Sequence, residues 1–435
     1  MKVVLISTYD LGRQPFGLAS PAAWLQARGH EVTCVDVSVS PLPSQTVREA
    51  DFVGFHLPMH TATRLAVPVI AKVRKANPRA RLAAYGLYAP LNERYLRSLG
   101  METIAGGEFE PSLAAAIEGN EPPLIALDRL QFEIPDRTGL PKLQRYAHLH
   151  RNGRKVVVGY TEASRGCKHL CRHCPVVPVY NGAFRVVQPD VVLEDIRRQV
   201  ASGAGHITFG DPDFFNGPGH AVRIVESIHA EFPELSYDVT IKIEHLLKHR
   251  NLLPALRRTG CLWVTSAVES TEDAVLEKLD KGHTRADFLA ALRLMRDVAL
   301  DLSPTFVPFT PWTTVEGYRD LLGVLREQEL VDSVAPIQLA LRLLIPAGSR
   351  LLELDDVKPC FDESALLHRW QHADARVDDV ARRIFELVSR EQRIGTPRRV
   401  VFSRIWAEAH NGKPPENFDL MPRATVPFLD EPWYC

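Results

Sequence analysis

The chain has 435 residues, of which 45% are hydrophobic and 24% charged, and its 52 Lys and Arg nearly cancel its 53 Asp and Glu. That length predicts two or three domains, and the balanced charge excludes a broad basic field for nucleic acid. No stretch approaches the roughly 20 apolar residues of a membrane helix, and Met1 to Asp10 reads as a first strand, not a signal peptide, so the expected location is cytoplasmic.

Lys2 to Ser7 is a continuous apolar run followed by a loop with Gly12 and Gly17. Pro21 to Arg28 reads as a helix, Glu31 to Val37 and Asp51 to Phe55 as strands, and Val67 to Lys75 as a helix. Arg81 to Tyr85 and Met101 to Ala105 complete the pattern. Strands alternating with helices predict an α/β, doubly wound parallel sheet over residues 1–118. Residues 119–150 contain Pro122, Pro123, Pro135 and Pro141 and read as a linker.

Over 151–345 the alternation resumes. Strands are predicted at Lys155 to Tyr160, His206 to Phe209, Tyr237 to Ile243, Leu262 to Val268, Ser303 to Val307 and Ser333 to Leu341. Six such repeats predict a partial (βα)6 barrel with its chemistry at the strands' C-terminal ends. Residues 346–435 are less regular, with one amphipathic helix at Asp374 to Arg390 and a Pro-rich tail.

Seven cysteines are present, and three of them fall in Cys167-Lys-His-Leu-Cys171-Arg-His-Cys174, directly after the first barrel strand. A secreted disulfide framework is shorter and denser, so the cluster points to metal or redox chemistry. Three thiolates on a cubane of four irons leave one iron open to a cofactor. A zinc knuckle with His169 or His173 as fourth ligand, in a binding protein without turnover, is the alternative.

The spacing resembles the ligand signature of the radical S-adenosylmethionine (SAM) superfamily. The resemblance implies a [4Fe–4S] cluster on Cys167, Cys171 and Cys174, with the open iron chelating the amino and carboxylate groups of S-adenosylmethionine. It further implies reductive cleavage to a 5′-deoxyadenosyl radical, which abstracts hydrogen from a small-molecule or peptide substrate. The electron would come from a flavodoxin-type donor or reductase.

Other cofactor-binding candidates follow from the same resemblance. His173 stands where the family has an aromatic residue near the adenine. Gly210, Asp211 and Asp213 end the second barrel strand, where the methionine amino group is received; a plain turn is the alternative. Glu269, in Ala267-Val-Glu-Ser270, matches a ribose-binding motif, against an N-cap role. Lys242 and Glu244 either face the pocket or are solvated. Phe309 and Trp312 read as pocket wall or core.

Residues 1–118 resemble the cobalamin-binding domain of one branch, which makes cobalamin a further candidate cofactor and cobalamin-assisted methylation a candidate outcome. Gly54 to His60 stands beside the expected corrin tail, and Gly106-Gly107-Glu108 at the last phosphate-side turn. The loop after the first strand, Tyr9 to Gly17, lacks the histidine that would ligate cobalt. The domain therefore either binds cobalamin without a protein ligand or keeps only the fold. The tail, Asp430 to Cys435, resembles a family ending in Cys-Cys-Ala-Glu-Pro or its selenocysteine form, which implies a truncated selenoprotein; an incidental terminal Cys is the alternative.

Overall fold

The computed structural model describes residues 1–357, 360–421 and 428–430, and the tail motif at Cys435 lies outside them. The first sheet contains β1 (Lys2–Ser7), β2 (Glu31–Asp36), β3 (Phe52–His56), β4 (Arg81–Tyr85), β5 (Thr103–Gly107) and β6 (Ile125–Ala126). Their spatial order is β2-β1-β3-β4-β5-β6, and every pairing is parallel. Two separate apolar clusters cover its faces, which explains why the strand sequences are apolar runs rather than alternating ones.

Two boundaries differ from expectation. The first helix spans Phe16–Gln26 and takes in both Gly17 and Pro21. A Cβ on Gly17 would lie 2.1 Å from His56 Nε2, so glycine lets the helix begin hard against β3. The stretch after residue 118 is not purely a linker, because β6 pairs with Gly106 and Gly107. Gly107 has φ +71, and a Cβ there would meet Ala126 O at 2.1 Å. Further on, Arg137 donates to both carboxylate oxygens of Asp195, at 2.7 and 2.9 Å, and to Tyr160 O at 2.6 Å. The connecting segment is thus clamped to the second sheet.

That sheet begins with β7 (His148–Arg151) and β8 (Arg154–Thr161). A short hairpin, β9 (Ser164–Gly166) and β10 (Phe184–Val186), frames the cysteine loop. The parallel series continues through β11 (His206–Phe209), β12 (Ser236–Thr240), β13 (Cys261–Glu269) and β14 (Asp301–Phe306). Five strands, β8 and β11 to β14, form the parallel half-barrel. The sixth repeat is reduced to one parallel bridge, Phe309 to Arg342. Residues Pro336–Leu339 form a 3-10 turn instead, since Pro336 has no N–H for a ladder.

In the C-terminal region β15 (Cys360–Asp362) and β16 (Leu367–Arg369) form a hairpin, and β17 (Phe428–Leu429) pairs with β7. Helix Ala375–Arg393, capped by Asp374, matches the expected one. Helix Arg398–Ala409 packs against it and was not predicted, although buried Phe402, Ile405 and Ala409 have helical spacing. Among the described residues no helix is long and apolar enough to cross a membrane.

One buried ionic cluster joins the first sheet to the barrel. Arg165 donates to Glu110 at 2.7 and 2.9 Å, to Glu162 at 2.8 Å and to Glu108 at 3.4 Å. Ser20 donates to Glu110 at 2.6 Å and Tyr180 to Glu108 at 3.1 Å. Three carboxylates share one guanidinium, and burial pushes the Glu108 carboxyl up to about 7 despite that cation. Replacing Arg165 with Met should strand these acids and cost about 3–5 kcal/mol of stability in urea unfolding. A loss below about 1 kcal/mol would show that the cluster does not hold the domains.

Candidate active site

The cysteine loop leaves β9 at Gly166, whose φ is +75; a Cβ there would strike the Tyr180 ring at 2.4 Å. Glycine is therefore required immediately before Cys167. The loop is held from several sides. Asn216 Oδ1 accepts from Lys168 N at 3.1 Å, and the Arg172 amide donates to Leu279 O at 2.9 Å. Ser349 donates to Arg172 O at 3.1 Å, and Arg350 to Leu170 O at 3.1 Å. Contacts from three distant segments keep the three thiols at the C-terminal mouth of the half-barrel.

All three are free thiols, with Cys167 and Cys171 buried and Cys174 partly so. Burial raises the Cys167 thiol and pushes Cys174 up to about 12, so metal binding would have to displace their protons. Two buried ammonium groups stand beside them. Lys242 Nζ lies 3.6 Å from Cys171 Sγ, and Lys281 is only 3% exposed. Burial works to lower Lys281, but Glu269 and the Cys171 and Cys174 thiols outweigh it and leave its pKa raised. Buried cations facing thiols suit an anionic thiolate-bound group.

The donor set also separates a cluster from a single ion. Tetrahedral zinc with thiolates at about 2.3 Å brings its sulfurs within about 4 Å of one another. Among the described residues, the three or more ligand atoms that lie within 4.8 Å of one another belong to His169, Asp213 and His245, not to the cysteines. Nor do the histidines of the loop turn toward the thiols. His169 faces Asp213, and His173 Nε2 is 3.1 Å from Glu269 Oε1. The residues fit a wider iron–sulfur group better than a zinc knuckle.

Glu269 is the most constrained acid of the mouth. It sits at φ +70, beside a register shift between β13 and β14, a strained conformation for a residue with a side chain. Its Oε1 receives Lys281 Nζ at 3.3 Å as well as facing His173. Burial opposes its ionisation, yet Lys281 and then His173 outweigh burial and hold its pKa at about 2.

The other predicted residues divide. Asp211 is buried, accepting from Ser164 Oγ at 2.5 Å and Ala163 N at 3.0 Å. Burial nonetheless raises its carboxyl to about 7. Gly210 has its absent side chain replaced by Tyr160, whose hydroxyl lies 1.8 Å from a built Cβ. Lys242 is buried against the cysteine loop, whereas Glu244 is half-exposed. Phe309 stacks on Tyr318 in the core, with ring centres 4.7 Å apart. Trp312 is part-buried, its Nε1 donating to Asp356 at 3.0 Å. Sequence reasoning missed the roles of Lys281, Arg165 and His245, whose partners lie far away in the chain.

Between the ends of the first sheet's strands and the barrel mouth lies a cavity of about 1090 Å³. Tyr9, Met59 and Tyr88 line it from the first domain, His173 from the cysteine loop, and Leu343 and Leu367 from the C-terminal region. His60 Nε2 donates to Ala365 O at 2.6 Å and closes one side. The space beside Gly54 is filled instead. Tyr85 occupies it, donating to Gly17 O at 2.8 Å, with the Phe109 ring 5.0 Å and the His56 ring 5.4 Å from its own.

Residues 161–321 match the profile of the radical SAM superfamily. The hopanoid C-3 methylase of Methylococcus capsulatus is 24% identical over 214 residues, covering 49% of this chain and 40% of that protein. The chain spans 40% to 62% of the length of the first curated relatives it matches. Among solved structures, the cobalamin-dependent S-adenosylmethionine radical enzyme OxsB aligns over 88% of this chain and 65% of its own, with TM-score 0.63 and 12% identity. The radical S-adenosylmethionine methyltransferase TsrM from Kitasatospora setae aligns over 76% of this chain and 72% of its own, with TM-score 0.57 and 18% identity. These likenesses establish the shared fold.

The Glu269–Lys281 pair makes a pH-dependent prediction. Glu269→Gln should cost about 3 kcal/mol near neutral pH, because Lys281 is left buried without its counter-charge. A depressed carboxylate stabilises the fold above its unfolded pKa and loses that contribution as pH falls. The difference between wild type and variant, read by denaturant titration, should therefore shrink steadily from pH 4.5 toward about 2. A constant difference across that window would contradict the assignment.

Proposed function

With a radical S-adenosylmethionine domain at residues 161–321 as premise, we propose that the chain is an enzyme whose cluster-bound S-adenosylmethionine initiates radical chemistry on a substrate in the junction cavity. The observation that carries this reading is the donor set at the mouth. Three free thiols share one pinned loop, with two buried ammonium groups against them. Bound there, a [4Fe–4S] cluster with S-adenosylmethionine supplies one-electron cleavage of a carbon–sulfur bond and so a hydrogen-abstracting radical.

The chain's own residues do the rest. Cys167, Cys171 and Cys174 would hold the cluster. Lys242 and Lys281 offset the negative charge gathered on the sulfurs. Glu269, fixed by His173 and Lys281, presents its remaining carboxylate oxygen as an acceptor for the ribose hydroxyls. The cavity, lined by His173 and Pro175 beside the thiols, admits a small molecule or peptide segment.

Cobalamin-assisted methylation is a second reading, favoured by the size of the junction cavity and by the solved neighbours that bind cobalamin. The residues do not fit a nucleotide tail inserted beside Gly54, where Leu5 and Tyr85 fill the space and Tyr85 packs in turn on Phe109 and His56.

Anaerobic reconstitution with iron and sulfide should give about four irons per chain and a brown chromophore. Adding reductant and S-adenosylmethionine should then yield 5′-deoxyadenosine, and alanine at any of the three cysteines should reduce that product to background. Retention of stoichiometric zinc, with no iron chromophore and no product, would overturn the proposal in favour of a metal-stabilised binding protein.

A further inference from the structure

Beside the thiols lies a second constellation that the proposed chemistry leaves unused. His169 stands between Cys167 and Cys171, Asp213 lies in the turn after β11, and His245 is carried by the helix Ile243–Lys248 after β12. Their ligand atoms all fall within 4.8 Å of one another. His245 Nδ1 is 2.7 Å and His169 Nε2 3.6 Å from Asp213 Oδ2, which are ion-pair distances, but none of the three buried atoms has a hydrogen bond of good geometry. The Asp213 side chain is fully buried, and those of His245 and His169 are 7% and 15% exposed.

Buried polar atoms without well-aligned hydrogen bonds are expensive, and two imidazole nitrogens turned on one carboxylate oxygen from three elements form a donor set that a shared cation would satisfy. Nitrogen and oxygen ligands at about 2.0–2.1 Å from a tetrahedral cation lie about 3.4 Å apart, within the spread seen here. The surroundings are those of a metal site. Asp213 Oδ1 accepts from Phe215 N at 3.1 Å, which fixes the carboxylate with Oδ2 turned to the imidazoles. His169 Nδ1, the ring nitrogen away from the cluster of ligands, lies 3.5 Å from Glu244 Oε2. That carboxylate suits a ring whose Nε2 is the ligand, because it favours the proton on Nδ1.

We infer that His169 Nε2, Asp213 Oδ2 and His245 Nδ1 hold a divalent first-row transition cation, zinc or ferrous iron, distinct from the thiol-bound cluster. Two imidazoles and one carboxylate match the preferences of both ions. Three protein ligands leave the cation at least one further position, open to water or a substrate oxygen. The cation would also cross-link the cysteine loop to the ends of two barrel strands.

The test loads the site with zinc in protein that already carries its iron and sulfide. After anaerobic desalting, elemental analysis should find about one zinc per chain above an unchanged iron content. Asp213→Asn and His245→Gln should each lower that zinc at least about tenfold, with iron, sulfide and far-UV circular dichroism retained. Zinc absent from wild type, or retained equally by both variants, would overturn the site and leave a metal-free triad. Should the variants lose their fold or their iron, cobalt(II) added to cluster-loaded wild type decides instead. Visible ligand-field bands without a thiolate-to-cobalt charge-transfer band support the site, and a thiolate band or no bands overturns it. Iron and sulfide report the thiol site separately, so failure here and failure of the cluster are distinguishable.

Discussion

The molecule turns on a single guanidinium. Arg165 lies one residue from Gly166 and two from Cys167, on the strand that launches the cysteine loop, and grips Glu108 and Glu110 from the first sheet's last βα turn. Its fork engages both oxygens of Glu110 while its Nε engages Glu162, so position and orientation are both specified. Three carboxylates would not accept burial without it. The loop that carries the thiols is thereby referenced to the first domain as well as to its own barrel.

From that reference the mouth is built by opposed charges. Lys242, after β12, and Lys281, after the helix Asp273–Leu279, approach the sulfurs, and Lys281 is shared with Glu269, which the backbone holds in a left-handed conformation. Strain at such a position persists only where surrounding contacts outweigh it. The Glu269 carboxylate has those contacts on two sides, from His173 and Lys281.

Legibility from sequence followed the range of the interactions. Parallel strands buried on both faces announce themselves as apolar runs, and β1 to β5, β8 and β11 to β14 were readable to within three residues. The cysteines were readable because their spacing is local. Edges were not: Ile125–Ala126 and Phe428–Leu429 have two residues each, too few for a periodic signal, and exist through pairing alone. The sixth strand failed because Pro336 removes a ladder donor. Electrostatic partners were the least readable part. Arg165 and Glu110 are 55 residues apart, and Lys281 and Cys171 meet only because the helix Asp273–Leu279 after β13 returns the chain to the mouth. Gly210 and Asp211 illustrate the reverse problem, since packing against Tyr160 and bonding to Ser164 account for residues that a motif alone assigns to a cofactor.

Most of the junction cavity's lining comes from pieces of chain that carry none of the three thiols, with His173 and Pro175 the contribution of the cysteine loop. The hairpin around Leu366, the strand-end loops near Tyr9 and Met59, and the segment at Leu343 each contribute side chains independently of the sulfur-bearing loop. Selectivity and reactivity are therefore separable traits. Exchanging a hairpin residue can reshape what enters without disturbing the donors below, which makes this roof the natural place to redirect the protein toward a different guest.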